Sequence, residues 1–310
     1  MPGLSVLIPV FNRDVTVLVS DLLVQAADWG GPVEILCFDD GSAPEFRELN
    51  ALLRAWPAVC YQELPQNVGR AAIRNRLAAA ARHEWLLLLD NDSLLPDDQL
   101  LARYAAARAL APVLVGGTIY EFAPPADPAL YLRWHYGQER ESRPAAVRQL
   151  EPHAQLTLNN LLIQAVVFRK FGLDEGLTRY GHEDTKFGWR LQEAGIAVRH
   201  LNNPVLHDGL EPAQVFLRKT HEAVRNLALL YRTQGLGTTT RLLSTALRMR
   251  RIGLGWAARL ALAPWVDTWR RNLLAGQPSL RQLDLLKLYW LLQELHEEPA
   301  QPGVSGPERP

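Results

Sequence analysis

The chain has 310 residues, with 33 lysines and arginines against 33 aspartates and glutamates. This balance gives no overall charge that would favour nucleic acid as a partner, and the length suffices for two domains or for one large domain with an extension. The charge is uneven, because residues 212–287 contain 13 basic and 3 acidic residues, a local balance of 13 − 3 = +10. We therefore expect two regions with different partners.

The first half of the chain alternates short apolar runs with helical patterns, which is typical of βαβ units. Runs that are apolar throughout favour a mostly parallel sheet with helices on both faces. We therefore predict a doubly wound α/β domain over residues 1–211. Strands are predicted at Leu4–Val10, Val33–Asp39, Ala58–Leu64, Glu84–Asp90 and Pro112–Tyr120, and helices at Asp14–Asp28, Pro44–Trp56, Asn67–Ala81 and Asp97–Leu110.

The later segments are less regular. Residues Ala123–Gln155 are rich in proline and poorly periodic, so we predict a partly ordered loop region. A helix that begins near Glu183 and ends at Gly195 follows, and then two short strands. From residue 212 the pattern is helical, which predicts a basic α-helical extension over 212–297 and a disordered tail over 298–310.

The sequence also bears on location. The first residues enter a strand without a signal-peptide pattern, and the apolar stretch Ile252–Val266 is too short to span a bilayer and contains Arg259. Cys37 and Cys60 lie in apolar strand patterns and are predicted to be reduced core residues. We expect a cytoplasmic protein, either free or attached to the inner face of the plasma membrane.

Polar side chains follow each of the first four strands, and ligands bind at the carboxyl ends of strands in open sheets. Asp90, Asn91 and Asp92 follow the fourth strand. Carboxylates that converge at one point suit Mg²⁺ or Mn²⁺, particularly where phosphate oxygens add ligands. The alternative is a turn that caps the helix near Asp97.

The second and third strand ends carry opposite charges. Asp39 and Asp40 end the second strand, and their mutual repulsion would be relieved by a cation or by the N–H and hydroxyl groups of a nucleoside. Arg70 and Arg74 begin the third helix, where helix amides and guanidinium groups form an anion site. The alternatives are a simple turn for the acids and a solvated basic face for the arginines.

Three further residues have two interpretations each. Glu183 and Asp184 occupy the first turn of a helix, where acids interact favourably with the helix dipole, or where one could act as a general base towards an acceptor hydroxyl. His207 follows a strand beside Asp208. A histidine there is either structural or completes a metal site.

Six segments of the chain together carry a resemblance. They are "SVLIPVFNR", "EILCFDDGS", "NVGRAAIRN", "LLLLDNDSLLPDD", "FGLDEGLTRYGHEDTKFGWRLQEAG" and "PVLH". In order and spacing they are similar to inverting, bacterial-type family-2 nucleotide-sugar glycosyltransferases, which have the GT-A fold, and the resemblance covers Leu4 to His207. It implies a metal-dependent enzyme that transfers a sugar with inversion.

The resemblance implies a nucleotide site made by the strand ends. The base of the donor, commonly uracil, would donate a hydrogen bond to Asp40, while Arg70 or Arg74 would contact the base or the phosphates. Asp90 and Asn91 would lie near the ribose and a metal-bound water. The residues implied at the nucleotide are Pro9, Phe11, Asn12, Asp40, Arg70, Arg74, Asp90 and Asn91.

The resemblance also implies a metal site and a catalytic base. Asp92 would be the direct ligand of Mn²⁺ or Mg²⁺, with Asp90 and His207 as further ligands. Asp184 would be the catalytic base, with Glu183 beside it in the acceptor site. In a single displacement the metal would neutralise the departing nucleoside diphosphate while Asp184 accepts the proton of the acceptor hydroxyl.

Two departures from the family pattern narrow the activity. Lys186 stands where the family often has an acid, and the "QxxRW" element of processive synthases is absent. We therefore predict a hexosyltransferase-type enzyme that transfers one sugar, and is not processive, from a UDP-sugar to a glycan or lipid-linked acceptor in cell-envelope polysaccharide biosynthesis.

Two rival functions are a sugar-phosphate nucleotidyltransferase and a non-catalytic carbohydrate or nucleotide binder. The first needs a glycine-rich loop after the first strand, and "PVFNRDV" has no glycine. The second is disfavoured because the acids, the base and the histidine are all present.

The basic extension combines tryptophan with arginine, at Trp256, Trp265, Trp269 and Trp290 beside "RMRR" and "WRR". Such combinations suit an anionic membrane surface. The alternative is that these helices pack on the catalytic domain or on a second subunit in a homodimer.

Overall fold

The computed structural model describes residues 1–176, 181–238, 240–276 and 278–296. The chain divides into two compact units, Met1–Ala213 and Gln214–Pro310. The predicted division after residue 211 lies close to this boundary, and the predicted tail over 298–310 lies outside the described residues. Each unit is described by itself below.

The first unit contains a seven-stranded sheet in the order β3-β2-β1-β4-β8-β6-β9 and a three-stranded sheet in the order β5-β10-β7. The strands β3, β2, β1 and β4 are parallel, and β8 runs antiparallel to both β4 and β6. The strands are β1 (Leu4–Val10), β2 (Val33–Asp39), β3 (Val59–Glu63), β4 (Trp85–Leu89), β5 (Ser93–Leu94), β6 (Val113–Val115), β7 (Thr118–Ile119), β8 (Asn160–Gln164), β9 (Val198–His200) and β10 (Val205–His207).

Helices cover both faces of the large sheet, which confirms the predicted doubly wound, mostly parallel α/β architecture. One face buries Leu7 and Leu88 among side chains of the third and eighth helices, and the other buries Ile8 and Leu87 among side chains of the first and fourth. These helices are α1 (Thr16–Gln25), α2 (Pro44–Asn50), α3 (Arg70–Ala80), α4 (Leu100–Ala107), α5 (Tyr131–Tyr136), α6 (Ala145–Arg148), α7 (Ala165–Phe171) and α8 (Glu183–Glu193).

Two predicted segments differ from the structure. The predicted strand Pro112–Tyr120 is divided into β6 and β7 at Gly116 and Gly117, because a Cβ at Gly116 would lie 2.3 Å from the Asn160 side chain and Gly117 has a φ of 97°. The predicted loop region over 123–155 contains α5, α6 and a π-helical turn, Gly137–Glu141. It was predicted as irregular because such short helices bury too few residues to show a helical period.

Arg148 in α6 explains why this segment is ordered. Its buried guanidinium donates hydrogen bonds to the carbonyls of Gly116, at 2.9 Å, and Leu201, at 2.7 Å. A buried charge with several carbonyl partners is costly to disrupt, so α6 is fixed to the sheet.

The prediction that both cysteines lie in the core is correct for Cys37 and wrong for Cys60, which is exposed. Cys60 lies on β3, the edge strand of the large sheet, where Cys60 and Gln62 are exposed and Tyr61 between them is buried. An edge position therefore explains an exposed residue in an apolar run.

The second unit is helical, as predicted. Trp269 and Trp290 are buried, and the His221 ring stacks on Trp290 with 4.4 Å between centroids. Within the described residues, no helix is both long and apolar enough to cross a bilayer. The helices are α9 (Ala213–Gln234), α10 (Arg241–Arg251), α11 (Gly255–Leu262), α12 (Val266–Leu274) and α13 (Leu280–Glu294).

Candidate active site

The loops after β1, β2 and β4 lock together at one edge of the large sheet. The Asn12 amide donates to Ser42 Oγ at 2.9 Å, Ala43 N donates to Asn12 Oδ1 at 2.8 Å, and Asn91 Nδ2 donates to the Phe11 carbonyl at 3.1 Å. Asn12 adopts a φ of 48°, a left-handed conformation that asparagine tolerates better than most residues. The predicted nucleotide residues Phe11, Asn12 and Asn91 therefore lie together, and Pro9 precedes them on β1.

The aspartates that end β2 are satisfied within the protein. Asp39 accepts from Ser42 N at 2.7 Å and from the Tyr61 hydroxyl at 3.1 Å. Asp40 accepts from Val68 N at 2.7 Å and Gly69 N at 3.2 Å, ahead of α3. A cation or a nucleoside is therefore not required to satisfy these acids, because backbone amides and the Tyr61 hydroxyl already donate hydrogen bonds to them.

Burial of Asp40 raises its pKa, and the amides of Val68 and Gly69 oppose that rise. Each carboxylate oxygen has more than one acceptor position, so Asp40 keeps acceptor capacity beyond these two amides.

Arg74 is fixed against Asp90. Its guanidinium forms an ion pair with Asp90 Oδ1 and donates to the Arg70 carbonyl at 3.0 Å. Only 4% of the Arg74 side chain is exposed, and its Nε is buried with no hydrogen-bond partner among the described residues. Asp90 thus neutralises a buried cation, while Nε of Arg74 is a donor that the described protein leaves unused.

Asp92 and His207 meet across the small sheet. In this sheet β10 pairs with β5, which places His207 opposite Ser93, next to Asp92. The distance from His207 Nδ1 to Asp92 Oδ1 is 3.5 Å. A Cβ at residue 209 would lie 2.3 Å from Asp92 Oδ2, so Gly209 leaves room for this carboxylate.

The electrostatics keep Asp92 ionised. Burial alone would raise the pKa of Asp92, but the hydrogen bond and charge of His207, together with the charges of Arg70 and Arg13, lower it below its ordinary value. An ionised carboxylate beside an imidazole is a suitable pair of metal ligands.

The full predicted metal set is not brought together. Among the residues that the structure describes, no group of three or more His, Cys, Asp and Glu side chains is arranged to hold a metal ion. The predicted third ligand, Asp90, instead faces Arg74 and Arg70. Asp92 and His207 remain as the pair that could bind a cation whose other ligands come from a bound molecule and water.

Arg133, Tyr120 and Glu141 form a cluster beside His207 that the sequence does not predict. Arg133 Nη2 lies 3.4 Å from His207 Nε2, 2.7 Å from the Tyr120 hydroxyl and 3.1 Å from Glu141 Oε2. The Tyr120 hydroxyl also contacts Glu141, and the Tyr120 ring packs edge-on against His207 at 5.2 Å. These contacts orient the imidazole, and their only sequence signal is the charged run "RWHYGQERE" inside a supposed loop.

Arg70 connects this edge to the acids of α8. Its Nε lies 3.0 Å from Glu183 Oε1, and its Nη2 lies 3.8 Å from Asp90 Oδ2. The Arg70 side chain is half exposed, whereas Arg74 is buried. Of the two arginines predicted at the nucleotide, Arg70 is therefore the one that solvent and a ligand can reach.

Asp184 follows Glu183 in the first turn of α8, where the structure confirms a helix start. Burial raises the pKa of Asp184 to about 7, with the charge of Glu183 adding to the rise and the Thr185 amide, Arg70 and Arg74 opposing it. A carboxyl group with a pKa near neutrality can both accept and release a proton at physiological pH.

Contacts on the other side of α8 hold these acids in place. Phe187 is buried and packs against Phe168 with 5.6 Å between ring centroids. Lys186, which replaces an acid of the family pattern, forms an ion pair with Asp174. Lys186 is thereby engaged with the loop before the helix. Residues 177–180 of the same predicted motif lie outside the described residues.

Comparison with known proteins gives a family and a fold. The profile of Glycosyl transferase family 2 matches residues 5–157. The mannosyltransferase PcManGT from Pyrobaculum calidifontis, solved in complex with GDP-Man and Mn²⁺, is 15% identical, with a TM-score of 0.59 over 94% of this chain and 85% of that chain. S. aureus TarS is 15% identical, with a TM-score of 0.51 over 94% of this chain and 53% of its own. No curated protein sequence matches the chain.

Proposed function

We propose that the chain, which belongs to glycosyl transferase family 2 and has the GT-A fold, transfers one sugar from a UDP-sugar to a hydroxyl group. The hydroxyl belongs to a glycan or lipid-linked acceptor, and the transfer inverts the configuration of the anomeric carbon. The rival functions predicted from the sequence gain no support from the site.

One observation carries the proposal. Arg70 lies between Asp90, at the end of β4, and Glu183, at the start of α8. The edge that would hold a nucleoside diphosphate and the acids that would meet an acceptor hydroxyl are thus joined by one accessible cation. The Arg70 side chain can contact a phosphate of the donor while it holds the acids of α8 close to that donor. A transfer between two bound molecules requires this arrangement.

Asp184 is the base in the proposed reaction. Its carboxylate accepts the proton of the acceptor hydroxyl, and that oxygen forms a bond to the anomeric carbon while the bond from this carbon to the diphosphate oxygen breaks. Attack from the face opposite the leaving group inverts the configuration. With a pKa of about 7, a large fraction of Asp184 is ionised and ready to accept a proton at neutral pH.

Asp92 and His207 would hold a divalent cation, Mn²⁺ or Mg²⁺. The pair fits such an ion because Asp92 is ionised, His207 Nδ1 lies 3.5 Å from its Oδ1, and Gly209 leaves space beside the carboxylate. When bound, the cation would supply charge neutralisation for the diphosphate. PcManGT, which has the same fold, was solved with GDP-Man and Mn²⁺, and this supports testing a nucleoside diphosphate with a metal here.

The experiment is a screen of UDP- and GDP-sugars for release of nucleoside diphosphate, with Mn²⁺, with Mg²⁺ and with EDTA. We expect UDP-sugars to be hydrolysed slowly with metal and at background rate with EDTA. Asp92→Asn should lower the metal-dependent release, and its matched control is Asp98→Asn, which changes an exposed acid in the loop before α4. No metal-dependent release from any donor, with and without a panel of glycan acceptors, would overturn the proposal.

A further inference from the structure

The helix α11 in the second unit is mostly apolar yet has no buried residue. It packs against α10 and α13, while Trp256 and Leu260, one turn apart, are exposed. Further exposed apolar side chains precede and follow this helix in the chain. We call this set the Trp/Leu face: Ile252, Leu254, Trp256, Leu260, Trp265 and Leu274, each at least half exposed.

Six large apolar side chains that are exposed within residues 252–274 call for an occupant, because clustered exposed apolar side chains mark interaction sites. The two other tryptophans of the extension are buried inside the unit, and Arg270 lies over the Trp290 ring at 5.9 Å. The core of the unit is therefore complete without Trp256 and Trp265. These two side chains are not needed for packing within the described helices.

The charge around the Trp/Leu face has one sign. Residues 241–276 contain seven arginines and one acid, Asp267, a local balance of 7 − 1 = +6. A solvent-open pocket of about 50 Å³ beside Trp256 is lined by Arg250, Gly255, Trp256, Arg259, Leu292 and His296. Among the described residues, the side chains of Arg250 and Arg259 have no hydrogen-bond or ion-pair partner.

We propose that the Trp/Leu face docks on the surface of an anionic lipid bilayer, with Trp256 and Trp265 at the depth of the headgroups and Arg250 and Arg259 on lipid phosphates. Tryptophan has an apolar ring and a polar N–H, which suits the bilayer interface, and arginine binds phosphate through two parallel hydrogen bonds. A second copy of this chain fits less well, because two such faces would bring arginines against arginines.

The experiment is flotation of the full chain with vesicles. One set is pure phosphatidylcholine, and the other contains about 30% phosphatidylglycerol, enough for a negative surface potential. We expect the chain to float with the anionic vesicles at low salt, to float far less with the neutral ones, and to be released by high salt because the headgroup attraction is screened. No flotation with anionic vesicles at low salt would overturn the proposal.

Variants separate the two parts of the face. Trp256→Ala with Trp265→Ala should weaken partitioning onto anionic vesicles by at least about 10-fold, and Arg250→Gln with Arg259→Gln should remove the preference for anionic lipid. Matched controls are Phe122→Ala and Arg199→Gln, both exposed in the first unit, which should float like the wild type. Circular dichroism and thermal midpoints would establish that every variant is folded.

Two results would contradict the proposal even if the wild type floats. One is equal loss of flotation in the control and the test variants. The other is a wild-type dimer in solution that the tryptophan substitutions convert to a monomer without changing flotation, since a second copy would then occupy the face. None of these measurements uses sugar transfer, so the outcome is independent of the proposed activity.

Discussion

Replacement of Asp184 by asparagine is expected to stabilise the folded protein above neutral pH. Burial, with the charge of Glu183, raises the pKa of Asp184 from 3.8 to about 7. Between these two values the folded state holds a proton that the unfolded state has released, so the wild type loses stability as pH rises through this window. Asparagine does not titrate, and its carbonyl can still accept from Thr185 N, 2.8 Å away in the wild type.

The size of the effect follows from the pKa difference. A rise from 3.8 to about 7 corresponds to a ceiling of about 4 kcal/mol, at 1.36 kcal/mol for each pKa unit. Because Asp184 is only partly buried and interacts with Glu183, we expect about half of that ceiling, or about 2 kcal/mol, which would raise the thermal midpoint by about 4–8 °C.

The assay is scanning calorimetry of wild type and Asp184→Asn from about pH 4 to about pH 8, across the window in which the two states differ in bound protons. We expect nearly equal midpoints at the acid end and a growing advantage for the variant up to neutrality. Asp174→Asn is the matched control with the opposite sign, because the hydrogen bond from Lys186 lowers the pKa of Asp174. A difference between Asp184→Asn and wild type that does not change with pH would refute the reasoning.

Three further predictions concern the same site. Arg70→Gln removes a charge that lowers the pKa of Asp184, so the acid limb of the kcat/KM profile should move to higher pH, whereas Arg76→Gln on the exposed side of α3 should leave it in place. Asp92→Asn should weaken metal-dependent binding of nucleoside diphosphate, measured by calorimetric titration, by more than the roughly 10-fold that loss of an outer-shell partner causes. Tyr120→Phe removes the hydroxyl that joins Arg133 and Glu141, so it should lower the free energy of unfolding by about 1–3 kcal/mol and weaken metal binding. Its control, Tyr104→Phe, loses a hydroxyl bonded to Asn160 and should lower stability without changing metal binding.

The fold was predictable where burial is continuous. The strands β1 and β2 occur at the predicted bounds, because each is an unbroken apolar run between polar turns. Apolar strands at the centre and at the edge of a sheet differ in how much of each strand is buried, however, and the sequence does not show which strand lies at the edge. The apolar run around Cys60 therefore predicts a core position, although Cys60 is exposed on β3, the outermost strand.

The site was predictable one residue at a time, but not in its pairings. The acids that follow β4 and begin α8 are visible as charges beside apolar runs, and α8 begins where predicted. Which of them meet depends on contacts between distant segments, such as Arg70 with Glu183 and Arg133 with His207. The sequence predicts Asp90 as a metal ligand because no local pattern shows that Arg70 and Arg74 of α3 face it.

The central claim is that the site transfers a sugar with Asp184 as the base. The most direct measurement is the rate of nucleoside-diphosphate release by wild type and Asp184→Asn, with the affinity for that diphosphate measured on the same samples. The proposed mechanism predicts nearly unchanged affinity and a turnover at least about 100-fold lower, since loss of general base catalysis costs this much. Near-normal turnover in Asp184→Asn would contradict it.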